Sequence, residues 1–434
     1  MSATPSPASS PGSVRREANR AASLRDRFTA VRDRTMALCA PLSAEDQVVQ
    51  PMVDASPTKW HLAHTTWFFE AFVLDGERFD PEFEFLFNSY YEAVGPRVPR
   101  ARRGMLTRPP LDRIHAYRAA IDRQIVRALD ACARGDSTLD DSALARLELG
   151  LHHEQQHQEL ILTDFKYVLG TQPLTPPYRA LARGEISAPA PLTWHSEPGG
   201  IVEIGADHSG SSFDFAFDNE RPRHRVLLAP YQLACRPISN AEVLAFIADG
   251  GYRDHRLWLS DGWQLVQSEH WQAPLYWTAE GALYELAGVR AIDPGETACH
   301  LGLYEADAIA RWLGARLPSE AEWEHVAARA PVAGNFADAG RLHPAPAPAA
   351  APGELVQLFG DVWEWTQSSY AAYPGFRPLP GALGEYNGKF MSGQYVLRGG
   401  SCLSPADHLR ATYRNFFPAH TRWQMTGVRL ARDR

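Results

Sequence analysis

Residues 151–160, LHHEQQHQEL, constrain the fold of this chain more than any other stretch. Long helix-forming residues flank them on both sides and neither flank contains Pro, so we predict one continuous helix. Residues four apart lie on the same face of a helix, so His153 and His157 point the same way, whereas His152 points elsewhere. The stretch therefore predicts half of a metal site, with the remaining ligand on a facing helix.

Two other interpretations of these histidines have to be weighed. In an arbitrary sequence, a pair of histidines four apart is more often solvated or satisfied locally than bound to a metal. The letters HEQQH also have the form H-E-x-x-H of zinc proteases, in which Glu154 would be the general base. A protease needs a third ligand downstream in the same domain, and residues 158–169 contain no histidine. The protease interpretation is therefore disfavoured.

Length and composition set the broad class. A chain of 434 residues predicts two or three domains, and a net charge of -8 carries no electrostatic signal for nucleic acid or an anionic membrane surface. Five scattered cysteines, an odd number, argue against a disulfide framework and favour a reduced cytoplasm. No apolar run approaches the roughly 18 residues that span a bilayer. We expect a soluble cytoplasmic protein with small-molecule ligands, beginning with a disordered Pro/Ser-rich tail at residues 1–15.

Four helices are predicted in the first half of the chain. They cover residues 16–42, a segment starting at Ser56-Pro57 that carries His61 and His64, residues 111–135 and residues 140–169. Between the second and third helix, residues 79–110 form a long connection, first aromatic and then basic, of the kind that is usually functional. The pattern predicts a four-helix bundle with a metal site between facing helices.

The second half has a different texture. A Pro-rich linker at residues 171–200 precedes a region rich in Gly, Trp and short apolar runs, with helices predicted at residues 304–315 and 318–330. Short strands or turns are expected elsewhere, which makes the whole chain an α+β protein.

Specific motifs carry a resemblance to known families. The second half resembles the formylglycine-generating-enzyme or sulfatase-modifying-factor fold, which is C-type-lectin-like, in FDNERPRHRV (217–226), EADAIARWLGARLPSEAEWE (305–324), GDVWEWTQS (360–368), VLRGGSC (396–402) and GVRLAR (427–432). The first half resembles a DinB-type metal-binding bundle. The resemblance implies domains at residues 16–170 and 201–434, joined by the linker.

The pairing of the two halves is similar to the iron-dependent sulfoxide synthases of ergothioneine biosynthesis. The matching residues are SPTKWHLAHTTWFFE (56–70), LFNSYYEAVGPR (86–97), LHHEQQHQELILTD (151–164), GEYNGKFM (384–391) and YRNFFPAHTRWQMTGVRLA (413–431). These resemble the branch of that family with paired tyrosines. The resemblance implies that His64, His153 and His157 bind Fe²⁺, a choice over zinc that spacing alone does not make. Three neutral imidazoles would leave coordination positions open for O2.

The implied reaction joins the sulfur of cysteine, or of gamma-glutamylcysteine, to C2 of the hercynine imidazole with O2, giving a sulfoxide. Tyr90 and Tyr91 match the tyrosine pair of the branch and would supply a proton. Their alternative role is that of buried aromatics in an apolar loop.

Substrate contacts are implied at further positions. Gln156, beside His157, would hydrogen-bond the hercynine imidazole, and Asp54 would offer its trimethylammonium group a carboxylate. Aromatic faces in the segment Asn415, Phe416 and Phe417 would receive the same cation. From the basic run at residues 97–103, Arg100 and Arg103 would bind the carboxylate of the sulfur donor.

Several rival functions stay open at this stage. A formylglycine-generating oxidase uses two cysteines near the end of the fold, and Cys402 has no second cysteine close by in the sequence. A lectin-like binding module would explain the Trp and Gly content but gives the histidines no role. Within the family, ovothiol synthases act on histidine itself and usually carry a methyltransferase domain, and selenoneine synthases take a selenium donor. The paired tyrosines favour cysteine as the donor.

Overall fold

The computed structural model describes residues 11–136, 139–182, 184–207 and 215–434. The chain divides into two compact units, residues 1–161 and 162–434, and the division falls within one long helix. The first ten residues of the predicted disordered tail lie outside the described residues, and the first helix begins at Pro11, five residues before its predicted start. The predicted domain limits at residues 170 and 200 stay predictions.

The first unit is helical, as predicted. Its helices are α1 (Pro11–Cys39), α2 (Thr58–Phe72), α3 (Glu82–Phe87), α4 (Leu111–Arg134) and α5 (Asp141–Thr171), the last of which continues into the second unit. Helices α1, α2, α4 and α5 correspond to the four predicted ones. Along α4, Ile114, Ile121 and Ile125 are fully buried at helical spacing, so this apolar stripe faces the core. Gly135, with a φ of 76°, ends α4 in the left-handed conformation that suits a helix C-terminus.

The connection between α2 and α4 is more ordered than expected. Instead of an irregular loop, residues 79–110 contain α3 and a 3-10 helix, Arg100–Met105. The letters EFEFLF alternate like a strand, but Phe83 and Phe87, four residues apart, are both buried, and Phe83 packs edge-on against Tyr117 of α4 at 4.9 Å between ring centroids. Tertiary packing therefore decides the helix.

The second unit holds the strands and the remaining helices. The strands are β1 (Trp194–Glu197), β2 (Gly200–Ile204), β3 (His224–Leu228), β4 (Tyr231–Ala234), β5 (Ala282–Glu285), β6 (Gly288–Ala291), β7 (Gly334–Asn335), β8 (Phe359–Gly360), β9 (Trp363–Ser369), β10 (Tyr395–Arg398), β11 (Asn415–Phe417), β12 (Thr426–Gly427) and β13 (Ala431–Asp433). They form a three-stranded sheet in the order β1-β4-β13, a four-stranded sheet in the order β11-β10-β9-β12, and the pairs β2-β3, β5-β6 and β7-β8. The α+β class is confirmed.

Four helices accompany these strands. They are α6 (Asn240–Ala248), α7 (Ser260–Ser268), α8 (Leu303–Trp312) and α9 (Glu320–Ala327). The predicted α8 and α9 are confirmed, whereas α6 and α7 were missed. The sequence carries a capping-box signal for the start of α6, namely Ser239 followed three residues later by Glu242. In the structure, the backbone N–H and the hydroxyl of Ser239 both donate to the carboxylate of Glu242.

Most of the motif GDVWEWTQS (360–368) lies in strand β9. Trp363, Glu364 and Trp365 are all buried, so the strand is covered on both faces. The Glu364 carboxylate accepts hydrogen bonds from Arg429 Nε at 3.0 Å and from Trp323 Nε1 at 2.7 Å, which satisfies a charge inside the core. None of the helices in the described ranges is both long and apolar enough to cross a bilayer.

Candidate metal centre

Three imidazoles converge in the first unit. His64 comes from α2, and His153 and His157 lie one turn apart on α5. Their ligand-capable atoms all lie within 4.8 Å of one another. All three side chains are buried, with relative exposures of 0%, 2% and 8%. The tertiary structure thus brings together the three histidines that the resemblance implied.

The orientation of His64 is set by the end of α3. Its Nδ1 donates to the backbone carbonyl of Phe87 at 2.7 Å. Phe87 ends α3, where carbonyl groups have no partner within the helix. The proton must sit on Nδ1 because a carbonyl only accepts, so Nε2 carries the lone pair. That Nε2 atom is buried and has no hydrogen-bond partner among the described residues, as a metal ligand would be.

His157 is oriented by a second histidine of α2, His61. Its Nδ1 lies 2.7 Å from Nδ1 of His61, which stands on α2 one turn before His64. One of the two nitrogens donates and the other accepts. Both His61 and His64 are buried. The spacing of three in HLAH was the signal that could have identified His61.

The electrostatics of the three histidines favour a cation. Burial, followed by the field of His153 and of Arg103, lowers the pKa of His64 well below its ordinary value. Burial, followed by the fields of His153 and His64, lowers the pKa of His157. Burial lowers the pKa of His153 to about 3. All three are therefore neutral at pH 7, with lone pairs available to a metal ion.

Glu154 does not fit the role of a protease base. Its carboxylate is fully buried and accepts hydrogen bonds from Arg32 Nη1 at 2.7 Å, from Thr35 Oγ1 at 2.7 Å and from Arg118 Nη2. Burial alone would raise the pKa of Glu154, but Arg118 and Arg32 lower it to about 2. Both oxygens are thus committed to a structural ion cluster with α1 and α4.

The tyrosine pair lies in a well-defined turn after α3. Asn88 Nδ2 donates to the carbonyls of Tyr91 at 3.0 Å and Gly95 at 3.1 Å, and Asn88 Oδ1 accepts from the Tyr91 N–H at 3.1 Å. Tyr91 is fully buried and Tyr90, which stacks on it at 4.7 Å, is half-buried. The ring of Trp67 lies 5.7 Å from Tyr91 and 5.6 Å from His64, so aromatic contacts connect the tyrosines to the histidine cluster.

The two predicted arginines have different environments. Arg100 is exposed, and its carbonyl accepts from Gln50 Nε2 at 2.8 Å. Arg103 is buried, and its guanidinium donates to Ser56 Oγ at 2.9 Å and Ser89 Oγ at 3.0 Å. The second helix was predicted to start at Ser56-Pro57, whereas α2 begins at Thr58, with Pro57 at its N-cap position.

The other predicted contacts are located as follows. Gln156 and Asp54 are half-buried in the first unit. In the second unit, Phe416 stacks face to face on Tyr370 with 4.0 Å between centroids, Phe417 packs edge-on against Trp423 at 6.1 Å, and Asn415 Oδ1 accepts from the N–H of Phe416 at 2.9 Å. Their roles in substrate binding stay predictions.

Comparison with protein families divides the chain in the same order as the motifs. Residues 27–161 match the DinB superfamily. Residues 196–351 and 337–434 match the sulfatase-modifying factor enzyme 1-like domain.

Comparison with individual proteins gives matches over both halves. The chain is 33% identical over 415 residues to a hercynine oxygenase of Mycolicibacterium thermoresistibile, covering 87% of each protein. It is 33% identical over 445 residues to a hercynine oxygenase of Mycolicibacterium smegmatis, covering 94% of this chain and 98% of the relative. A formylglycine-generating enzyme of Streptomyces coelicolor is 29% identical over 263 residues, which covers 48% of this chain and 77% of the relative.

Proposed function

This chain belongs to the hercynine oxygenase family and is an oxidoreductase, and we propose that it joins the sulfur of cysteine to C2 of the hercynine imidazole, using O2 and Fe²⁺. The product is the sulfoxide conjugate of ergothioneine biosynthesis. The observation that carries the proposal is the convergence of three buried, neutral imidazoles within a chain that matches these oxygenases along nearly its whole length. Gamma-glutamylcysteine is the alternative donor.

The ligand set suits a ferrous ion. His64, His153 and His157 supply nitrogen atoms alone, which leaves coordination positions for reactants. Bound Fe²⁺ would bring the thiol sulfur and O2 together and supply the redox chemistry. The protein's part is to hold the imidazoles: Phe87 fixes the ring of His64 and His61 fixes the ring of His157.

Proton transfer is assigned to the tyrosine pair. Joining the thiol sulfur to C2 of hercynine with O2 removes the hydrogen of the thiol and the hydrogen on C2; one oxygen atom enters the sulfoxide, and the other leaves as water with these two hydrogens, so protons must be moved at the site. The phenols of Tyr90 and Tyr91 are the candidates, supported by the ring contacts that connect them through Trp67 to His64.

Substrate contacts follow from charge and shape. Gln156 offers its amide to the hercynine imidazole, and Asp54 offers its carboxylate to the trimethylammonium group. Arg100 offers its guanidinium to the carboxylate of the donor, and its exposure supports this role. Arg103 is the second candidate from the same basic run.

Product mass tests the proposal directly. The protein is reconstituted anaerobically with Fe²⁺ and then given O2, hercynine and either cysteine or gamma-glutamylcysteine. A sulfoxide conjugate is expected that disappears in His153→Ala and persists in His255→Ala, a control at an exposed histidine of the second unit. Absence of a conjugate with either thiol would overturn the assignment and favour a selenium donor or histidine as substrate. Oxygen consumption without coupling would support the iron site and reject hercynine as the acceptor.

A further inference from the structure

Gln50 joins two backbone segments that carry proposed substrate contacts. Its side-chain Nε2 donates to the carbonyl of Ala55 at 2.9 Å and to that of Arg100 at 2.8 Å, and its Oε1 accepts from the N–H of Gly104 at 2.7 Å. We propose that Gln50 is a positioning residue, which holds the 3-10 helix Arg100–Met105 where its arginines bind the carboxylate of the sulfur donor. This inference rests on the proposed function.

The orientation of the Gln50 amide is fixed by its partners. A carbonyl only accepts a hydrogen bond and a backbone N–H only donates one, so the nitrogen faces Ala55 and Arg100 and the oxygen faces Gly104. Both N–H groups of the amide and one lone pair of its oxygen are thereby used. Three hydrogen bonds from one side chain set both the distance and the relative orientation of the two segments.

Gly104 allows the 3-10 helix to approach Gln50 closely. A Cβ on Gly104 would lie 2.7 Å from Cβ of Gln50 and 3.2 Å from its Oε1. The first distance is well below the separation at which two carbon atoms pack. The absence of a side chain at residue 104 is therefore a condition for the hydrogen bond between the two residues.

The segment on the Gln50 side is anchored in the first unit. Ala55 and Ser56 are buried, with relative exposures of 0% and 6%, and the chain enters α2 at Thr58. The same segment carries Asp54, which is proposed to contact the trimethylammonium group. Gln50 therefore holds the 3-10 helix against a fixed part of the bundle, and it sets the place of the arginines relative to the carboxylate of Asp54.

Other contacts hold the connection before and after the 3-10 helix. The N–H of Val98 donates to the carbonyl of Phe85 at 3.2 Å, and Nζ of Lys59 donates to the carbonyl of Pro109 at 3.0 Å. Gln50 supplies its hydrogen bonds between these two points, at the first and the fifth residue of the helix. The backbone of both proposed carboxylate ligands lies in this interval, so its position depends on Gln50.

The side chain of Arg103 shows why this position has to be accurate. Its guanidinium donates to Ser56 Oγ at 2.9 Å and to Ser89 Oγ at 3.0 Å, and its carbon lies 3.4 Å from the centroid of the Trp60 ring. A planar fork that meets partners on separate segments tolerates little displacement of its own backbone. Ser56 follows directly on the residue whose carbonyl Gln50 contacts, so the amide and the guanidinium join the same two segments.

The test compares Gln50→Met with Gln47→Met. Methionine keeps the length of the glutamine side chain and removes its hydrogen-bonding groups. Gln47 is a buried glutamine of the same stretch, and its amide donates to the carbonyl of Leu42 at 3.4 Å. Hydrogen–deuterium exchange is measured by mass spectrometry on peptides that cover residues 99–106. In parallel, kcat and KM are measured for cysteine and for hercynine.

The expected pattern separates positioning from folding. Gln50→Met should speed exchange across residues 99–106 and raise the KM for cysteine about tenfold. Its kcat and its KM for hercynine should change less than about twofold, because a raised KM with an unchanged kcat reports lost binding of one substrate. Gln47→Met should stay near the wild-type protein in exchange, kcat and both KM values.

A second variant approaches the same contact from the other side. Gly104→Ala should also raise the KM for cysteine, because its methyl group pushes the 3-10 helix away from Gln50. In the double variant Gln50→Met, Gly104→Ala the two effects should be far from additive in free energy, since both break one contact. Fully additive effects would mean that the two residues act separately, which overturns the inference.

Other results also count against the inference. Unchanged exchange in Gln50→Met would show that Gln50 does not hold the 3-10 helix. Faster exchange with an unchanged KM for cysteine would reject its role in donor binding while the proposed function stands. A lower kcat with unchanged KM values and a lower thermal unfolding midpoint would reduce Gln50 to a structural role. If the wild-type protein formed no conjugate with either thiol, the proposed function would fail together with the inference.

Discussion

Nδ1 of His61 and Nδ1 of His157 lie 2.7 Å apart, so a histidine takes the place beside a proposed metal ligand that a carboxylate often occupies. When His157 binds a metal through Nε2, its Nδ1 carries the proton and donates a hydrogen bond to Nδ1 of His61. The acceptor stands on α2, and the ligand stands on α5. The pair therefore connects the two helices that form the site.

Removing this acceptor should weaken metal binding. In His61→Phe, the Nδ1–H of His157 loses its partner, and we expect the Co²⁺ dissociation constant to rise about 10- to 100-fold. Competition titration measures it. His152→Phe is the control, because His152 lies next to the proposed ligand His153 on α5 but contacts Arg27. Equal affinities for wild type and His61→Phe would show that the contact does not orient His157.

Gly150 should tolerate no side chain, although it lies inside a helix. A Cβ at this position would lie 2.5 Å from Cε1 of Phe69, so α2 and α5 approach closely one turn before His153. Replacing a helical glycine by alanine usually stabilises by about 1 kcal/mol. Here we expect Gly150→Ala to lower the free energy of unfolding and to weaken Co²⁺ binding. Adding Phe69→Leu should recover part of the metal affinity, and a stabilised single variant would contradict the close approach.

Glu154 should prove structural and not catalytic. Its neutral analogue in Glu154→Gln removes the carboxylate that Arg118 contacts and leaves Arg32 paired with Asp122 alone, which costs about 3–5 kcal/mol in the free energy of unfolding. Glu148→Gln, at a more exposed ion pair with Arg27, should cost less than about 1 kcal/mol. Chemical denaturation measures both. A Glu154→Gln protein of normal stability but without activity would revive the general-base interpretation.

Acid stability should depend on Glu296 in the second unit. Burial alone would raise the pKa of this carboxyl, but His343 and Arg290 lower it from 4.5 to about 2. A carboxyl with a depressed folded-state pKa stabilises the protein above its unfolded-state pKa and loses that contribution as the pH falls. The stability difference between wild type and Glu296→Gln should therefore be constant above about pH 5 and shrink toward about pH 2. A difference that does not change over this window would mean that the pKa of Glu296 is not depressed.

The tyrosine that donates the proton should be recognisable from two variants. Tyr90→Phe and Tyr91→Phe keep the stacked rings and remove one hydroxyl each, so folding should be unaffected. Loss of the proton donor should lower kcat for the sulfoxide about 10²- to 10⁴-fold, while removal of the other hydroxyl should cost less than about tenfold. Product mass and O2 consumption measure the two rates. Near-normal sulfoxide formation in both variants would remove the tyrosines from the mechanism.

Local pattern was sufficient for the long helices and for half of the proposed metal site. The period of a helix follows from covalent geometry and backbone hydrogen bonding, so the stretch LHHEQQHQEL already placed His153 and His157 on one face. The motifs of the two halves carried the family and the fold class, which the family comparisons confirmed. Short helices were the weak point: α3 looks like an alternating strand, and α6 and α7 were missed.

Contacts between distant residues required the tertiary structure. The sequence by itself determined which helix carries His153 and His157, because that depends on neighbours within two turns. Only the tertiary structure decided that His61 accompanies His157, that Glu154 is held by Arg32 and Arg118, and that Arg103 is buried against Trp60 while Arg100 is exposed. Each of these depends on burial and on partners far away in the chain, which periodicity does not encode.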